Sequence, residues 1–149
     1  MLKVDVLDIN KEVLHNGDAI LKNGDTNNCA VNSLAIACNV PYDQAHAYAQ
    51  KNWGRINGQG TKTKAIVNDF KVSTPFGKMT VEVTVTQEYK QPGGWMRKRC
   101  MNVQTFIKKY PSGTYYVLVR GHALVVKDGV LIDNSTRLKR RVHQAWKIS

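Results

Sequence analysis

The chain has 149 residues, 42% hydrophobic and 22% charged, with a net charge of +11. That length suits one domain with a real core, residues 1–149, and crowds two; the composition excludes wholesale disorder and the fibrous classes. No apolar run approaches a membrane span, and the opening MLKVDVLDIN lacks the apolar stretch and small-residue cleavage site of a secretory signal. A soluble, cytoplasmic protein with no membrane partner is expected.

In chain order, residues 3–8 and 12–22 are weakly patterned, and the turn dipeptides Asn16-Gly17 and Asn23-Gly24 suggest an extended or hairpin-like opening. A first helix is expected from about Asn28 to Asn39, because Ala30, Leu34, Ala37 and Cys38 recur at helical spacing, and Val40-Pro41 ends it. Pro41 suits the first turn of a second helix, with Tyr42, Ala45, Tyr48 and Ala49 as its apolar stripe and a stop before Trp53-Gly54. Residues 54–60, GRINGQG, read as a loop, and Thr61 or Thr63 is expected to cap a short third helix towards Phe70.

Further on, MTVEVTVT at 79–86 alternates with period two and reads as one strand, which Gln91-Pro92-Gly93-Gly94 interrupts. Gly93-Gly94-Trp95 reads either as a lid presenting an aromatic or as a loop anchored on the core. A short helix is expected over Val103–Lys109. After it, GTYYVLVRGHALVVKDGVLIDN reads as two or three antiparallel strands with a turn at Lys127-Asp128-Gly129. Helices first and strands later is the α+β arrangement.

The positive charge is uneven. Lys90, Arg97, Lys98, Arg99, Lys108 and Lys109 crowd one segment, and Arg137, Lys139, Arg140, Arg141 and Lys147 crowd a basic C-terminal segment, residues 136–149. Such clusters suit an acidic protein partner or non-specific nucleic acid, the alternative being a solvated face that confers solubility. No sequence-specific nucleic-acid-binding motif is present.

Three cysteines with no C-x-x-C and no secretory context point to free thiols rather than disulfides or a zinc ribbon. Cys29 stands where the first helix begins. There, unpaired N–H groups and the positive end of the helix favour a thiolate. The dipole contributes about 0.3–1 kcal/mol, and about 2 at best, against about 1.4 kcal/mol per pKa unit, so a strong nucleophile also needs a cationic neighbour.

Of the four histidines, His15, His46, His122 and His143, only His122 follows a glycine at the start of an otherwise apolar strand. It is the candidate general base, with a half-buried histidine bonded to a backbone carbonyl as the packing alternative. If Asp128-Gly129 is a two-residue turn, Lys127 faces Val130, and counting back makes His122 and Asp133 diagonal neighbours on one face. A three-residue turn would bring Asn134 opposite His122 instead. Asp-Gly favours the first, so Asp133 is the expected orienter and Asn134 the second choice.

An oxyanion donor would come from the Cys29 N–H and an upstream amide, with Asn23, Asn27 and Asn28 all available. Those asparagines serve equally well as turn residues leading into a helix. Cys38, half a turn from Cys29, is expected in the core and inert, and Cys100 as a packing thiol. His46 and His143 are expected at the surface. No metal-ligand spacing is present and no cofactor is called for.

The order of Cys at a helix start, His in a strand and Asp or Asn on the next strand resembles the papain-like cysteine peptidases. It is similar in particular to compact members such as bacteriocin-transporter leader peptidases and small phage-encoded proteins. The resemblance lies in DTNNCAVNSLAIACNVPYDQAHAYA at 25–49 and TFIKKYPSGTYYVLVRGHALVVKDGVLIDN at 105–134. It implies a papain-like fold, with Cys29 as nucleophile, His122 as base and acid, Asp133 as orienter, a protein or peptide substrate, and a setting in a phage-infected cell. One departure stands out: the oxyanion-hole glutamine that the family often places six residues before the cysteine is here Asn23. A papain-fold binding module without turnover, using its basic surface, is the alternative.

Overall fold

Antiparallel pairing of four consecutive apolar stretches organises the chain. The computed structural model describes residues 5–8, 29–56, 60–133 and 138–149, with backbone alone at 5–8 and 133. The central strands are β5 (Thr114–Val119), β6 (His122–Lys127), β7 (Val130–Asp133) and β8 (Val142–Ile148). With β1 (Asp5–Asp8) and β2 (Thr80–Glu82) they form a six-stranded sheet of order β1-β7-β6-β5-β8-β2. Only β1, running parallel to β7, departs from antiparallel pairing. The class is α+β. No helix among the described residues is long and apolar enough to cross a membrane.

Three helices cover one face of the sheet: α1 (Cys29–Cys38), α2 (Tyr42–Trp53) and α3 (Thr63–Val72). The short α4 (Val103–Lys109) covers the other, together with Val85 and Met101. Because both faces are covered, Tyr115–Val119 and Ala123–Val126 are buried without interruption, which is why those strands read as continuous apolar runs rather than alternating ones. Edge-to-face ring contacts join Trp53, Phe70, Tyr116 and Trp146 between helices and sheet, with Phe70 centred 5.1 Å from both Tyr116 and Trp146.

α1 is the buried axis of this layer: every residue from Ala30 to Cys38 is buried. Asn39, at φ 55°, ends it; the Val40 N–H bonds the Ala35 carbonyl and the Asn39 N–H that of Ile36, the Schellman pattern. α2 follows from Pro41, which stands just outside the helix, and it includes Trp53 before stopping at Gly54, φ 65°. Asp69 of α3, itself buried, accepts hydrogen bonds from the Tyr48 hydroxyl at 2.7 Å and the Trp53 indole at 2.9 Å, which locks α2 to α3.

Several expectations need correction. Lys62 occupies the N-cap position of α3, so neither Thr61 nor Thr63 caps it. The stretch 79–86 is not one strand. Thr80–Glu82 pairs with β8, and Thr86 opens a separate ribbon in which β3 (Thr86–Lys90) pairs with β4 (Met96–Cys100) around the Gln91–Gly94 turn. The basic C-terminal segment is not solvated throughout either, since Val142, Ala145, Trp146 and Ile148 are buried and β8 sits inside the sheet. Trp95 is 76% exposed and so does not anchor the ribbon on the core. The opening turns at Asn16 and Asn23, and residues 57–59 of the 54–60 loop, lie outside the described residues.

Candidate active site

The site forms where the start of α1 meets the start of β6. Strand β5 turns into β6 through Arg120-Gly121, with Gly121 at φ 68° and Val119 paired to His122. His122 is thereby fixed as the first residue of its strand, half-buried at the end of the sheet. On the covered face, α1 packs against Ala123 and Val125 of the same strand, which brings Cys29, its first residue, to that end.

The Cys29 thiol is half-buried, and burial pushes its pKa up. A hydrogen bond from the His122 imidazole, the backbone N–H of Ala123, the charge of His122 and the N–H of Ala30 act the other way and outweigh it, so the thiol is held below its ordinary value. The Ala30 donor is one of the N–H groups that a first helical turn leaves open; no acidic side chain stands in that turn to oppose the negative sulfur. The first turn is tied down from below, where the fully buried Tyr116 hydroxyl donates to the Ala30 carbonyl at 3.0 Å. Burial raises the Tyr116 pKa well above its ordinary value, which keeps it a neutral donor.

The β6–β7 turn is the two-residue one. Asp128 (φ 49°) and Gly129 (φ 79°) both lie in the left-handed region, as a type I′ hairpin requires, and Lys127 pairs with Val130. Asp128 further accepts from the Gly113 N–H at 2.9 Å and donates its own N–H to the Gly113 carbonyl. The expectation of Asp133 rather than Asn134 requires this register, and Asp133 is the last residue of β7. Asn23, Asn27, Asn28 and Asn134 lie outside the described residues.

The other thiols differ from Cys29. Cys38 is 2% exposed, and burial drives its pKa up to about 11, with only a small downward pull from Lys78. Cys100 ends β4, half-buried. His143 is exposed on β8, but His46, expected at the surface, is half-buried and stacked on Tyr42. Among the described residues no three His, Cys, Asp or Glu side chains group as a metal site.

Two contributors escaped the sequence reading. The Ala123 N–H has no side-chain signature, so nothing in the chain could announce it. Tyr116 left a faint one: a hydroxyl inside the apolar run TYYVLV must find a partner once buried. The assembled parts are a thiol of lowered pKa, an imidazole bonded to it, and backbone donors around the sulfur, which is an arrangement suited to attack on an electrophilic carbonyl. No protein-family model, curated protein or solved structure matches the chain.

Proposed function

We propose that this protein is a papain-like cysteine hydrolase that cleaves a peptide or isopeptide bond through an acyl-enzyme on Cys29. One observation carries the reading: despite burial, the Cys29 thiol is held below its ordinary pKa by the His122 imidazole and backbone N–H groups. Burial drives Cys38, at the other end of the same helix, the other way.

In the proposed reaction the Cys29 thiolate attacks the carbonyl carbon, forming a C–S bond while the carbonyl oxygen takes up negative charge. The Cys29 backbone N–H and an amide from Asn23, Asn27 or Asn28 are assigned to that oxyanion. As the tetrahedral species collapses, the C–N bond breaks and His122 gives its proton to the departing amine. The thioester is then attacked by water, His122 removes a water proton, and the acid leaves with Cys29 as thiolate. An amine in place of water would make the same apparatus an acyl transferase. Asp133 is assigned to orient His122, on the register of the β6–β7 hairpin.

The test is turnover of a fluorogenic peptide library by the wild type and by Cys29→Ala and His122→Ala. Cys29→Ala should lose turnover with unchanged circular dichroism, and His122→Ala should lose about 10²-fold or more, the usual share of a general base. Turnover retained by Cys29→Ala would overturn the assignment.

A further inference from the structure

The β3–β4 ribbon stands apart from the main sheet and plays no part in the proposed chemistry. Its two faces differ. Thr86, Glu88 and Lys90 pair with Cys100, Lys98 and Met96 on one, while Gln87 and Tyr89 pair with Arg99 and Arg97 on the other. The first face sets Glu88 opposite Lys98; the second holds two arginines and no carboxylate.

A third arginine joins that second face from a distant part of the sequence. The Met101 carbonyl accepts from the Val142 N–H at 2.8 Å, the Arg140 carbonyl from the Val103 N–H at 2.9 Å, and Asn102 bridges to Arg141. Arg141 also donates to the Cys100 carbonyl at 3.0 Å. Arg97 and Arg99 of one basic cluster thus meet Arg141 of the other. Tyr89 lies at its centre: its hydroxyl is hydrogen-bonded by Gln87, Arg141 and Arg99, and the Arg99 guanidinium sits 3.9 Å from its ring centroid. Beyond the arginines, at the tip, the Trp95 indole is 76% exposed.

We propose that this face binds a single strand of nucleic acid, with phosphates on Arg97, Arg99 and Arg141 and a base stacked on Trp95. The residue types favour that partner. Guanidinium groups form planar forks that grip phosphate by two hydrogen bonds, which a lysine cannot do. Arg97 and Arg99 are two residues apart on one strand, about 7 Å, a step that suits successive phosphates of an extended chain. An exposed indole offers a stacking platform indifferent to sequence. The arginines run along the side of the ribbon rather than ringing its tip, so the surface tracks a strand instead of dipping into a bilayer. The ribbon also leaves the sheet at the dyad's end, because Met101 bonds Val142, Val142 pairs with Val119, and Val119 pairs with His122.

The experiment is fluorescence anisotropy of the full chain with a short labelled single-stranded DNA. A duplex of the same sequence, a polyglutamate peptide and phosphatidylserine vesicles serve as competitors. The single strand should bind most tightly, with log K falling against log salt by about 0.7 for each phosphate engaged. The double variant Arg97→Gln/Arg99→Gln should weaken binding about tenfold or more at low salt and flatten that slope. Trp95→Ala should lose between about fivefold and a hundredfold without changing the slope. All three side chains are exposed, so folding is not at stake, and Cys29→Ala should bind as the wild type does, which separates this site from the dyad. Binding unaffected by the arginine pair would overturn the proposal. So would polyglutamate or vesicles bound as tightly with the same arginine dependence, or duplex bound as tightly with Trp95→Ala silent.

Discussion

Cys29 and Cys38 carry the same side chain at the two ends of α1, and burial pushes both thiols up, yet one ends below its ordinary pKa and the other near 11. The difference lies in what surrounds each sulfur. Cys29 meets the donor end of the helix, the Ala123 N–H and an imidazole; Cys38 meets the acceptor end, with the Pro75 carbonyl at 3.9 Å from its sulfur. N–H groups and a cation stabilise the anion, whereas a carbonyl can only receive the thiol proton. Burial therefore sets how far a thiol can be moved, and the direction is decided by donors.

The strongest way to sharpen the contrast is to alkylate the native protein at pH 7 and resolve the sites by peptide mass spectrometry. Cys29 should react at least about tenfold faster than Cys38. Two or more pKa units give Cys29 about a hundredfold more thiolate, and lower intrinsic nucleophilicity returns roughly half of that on a log scale. The closed environment of Cys38 then widens the gap. Equal rates would break the comparison.

Next in size is Cys38→Ala. Removing a fully packed sulfur should cost about 1–2 kcal/mol in denaturant unfolding and leave the Cys29 alkylation rate unchanged, since the thiols act through separate surroundings. A large change at Cys29 would mean that the two ends are coupled through α1. The smallest effect expected is for Tyr116→Phe, which removes the hydroxyl beneath the first turn. It should cost about 1 kcal/mol, read by the same unfolding experiment, and a neutral result would show that the tie to Ala30 is not stabilising.

Much of this site could be read in the sequence. Cys29 falls at the start of α1 because helical spacing begins there, and the Asp128-Gly129 turn takes the left-handed geometry that its residues favour. α4 keeps the expected limits, with Asn102 as its cap, accepting from the Thr105 N–H at 2.8 Å. The ribbon could not be read so well. Period-two alternation in MTVEVTVT marks strand character but carries no information about the partner, so it could not show that pairing passes from β8 to β4 near Val83–Val85. In the C-terminal segment the pattern was ambiguous. Val142, Ala145, Trp146 and Ile148 mark a segment with an apolar side but do not alternate as a half-buried strand would, and the arginines and lysines before them suggested a solvated face.

The central claim is that His122 makes Cys29 a nucleophile, and the most direct test is the pH dependence of alkylation at each thiol in the wild type and in His122→Ala. Alkylation reports the thiolate, so its rate rises with pH and levels off above the pKa. In the wild type Cys29 should level off below the range of an ordinary thiol. In His122→Ala the lowering contributions of the imidazole disappear while burial remains, so the inflection should move up, towards the behaviour of Cys38. An inflection at Cys29 that lies in the ordinary thiol range, or that stays in place without His122, would contradict the dyad.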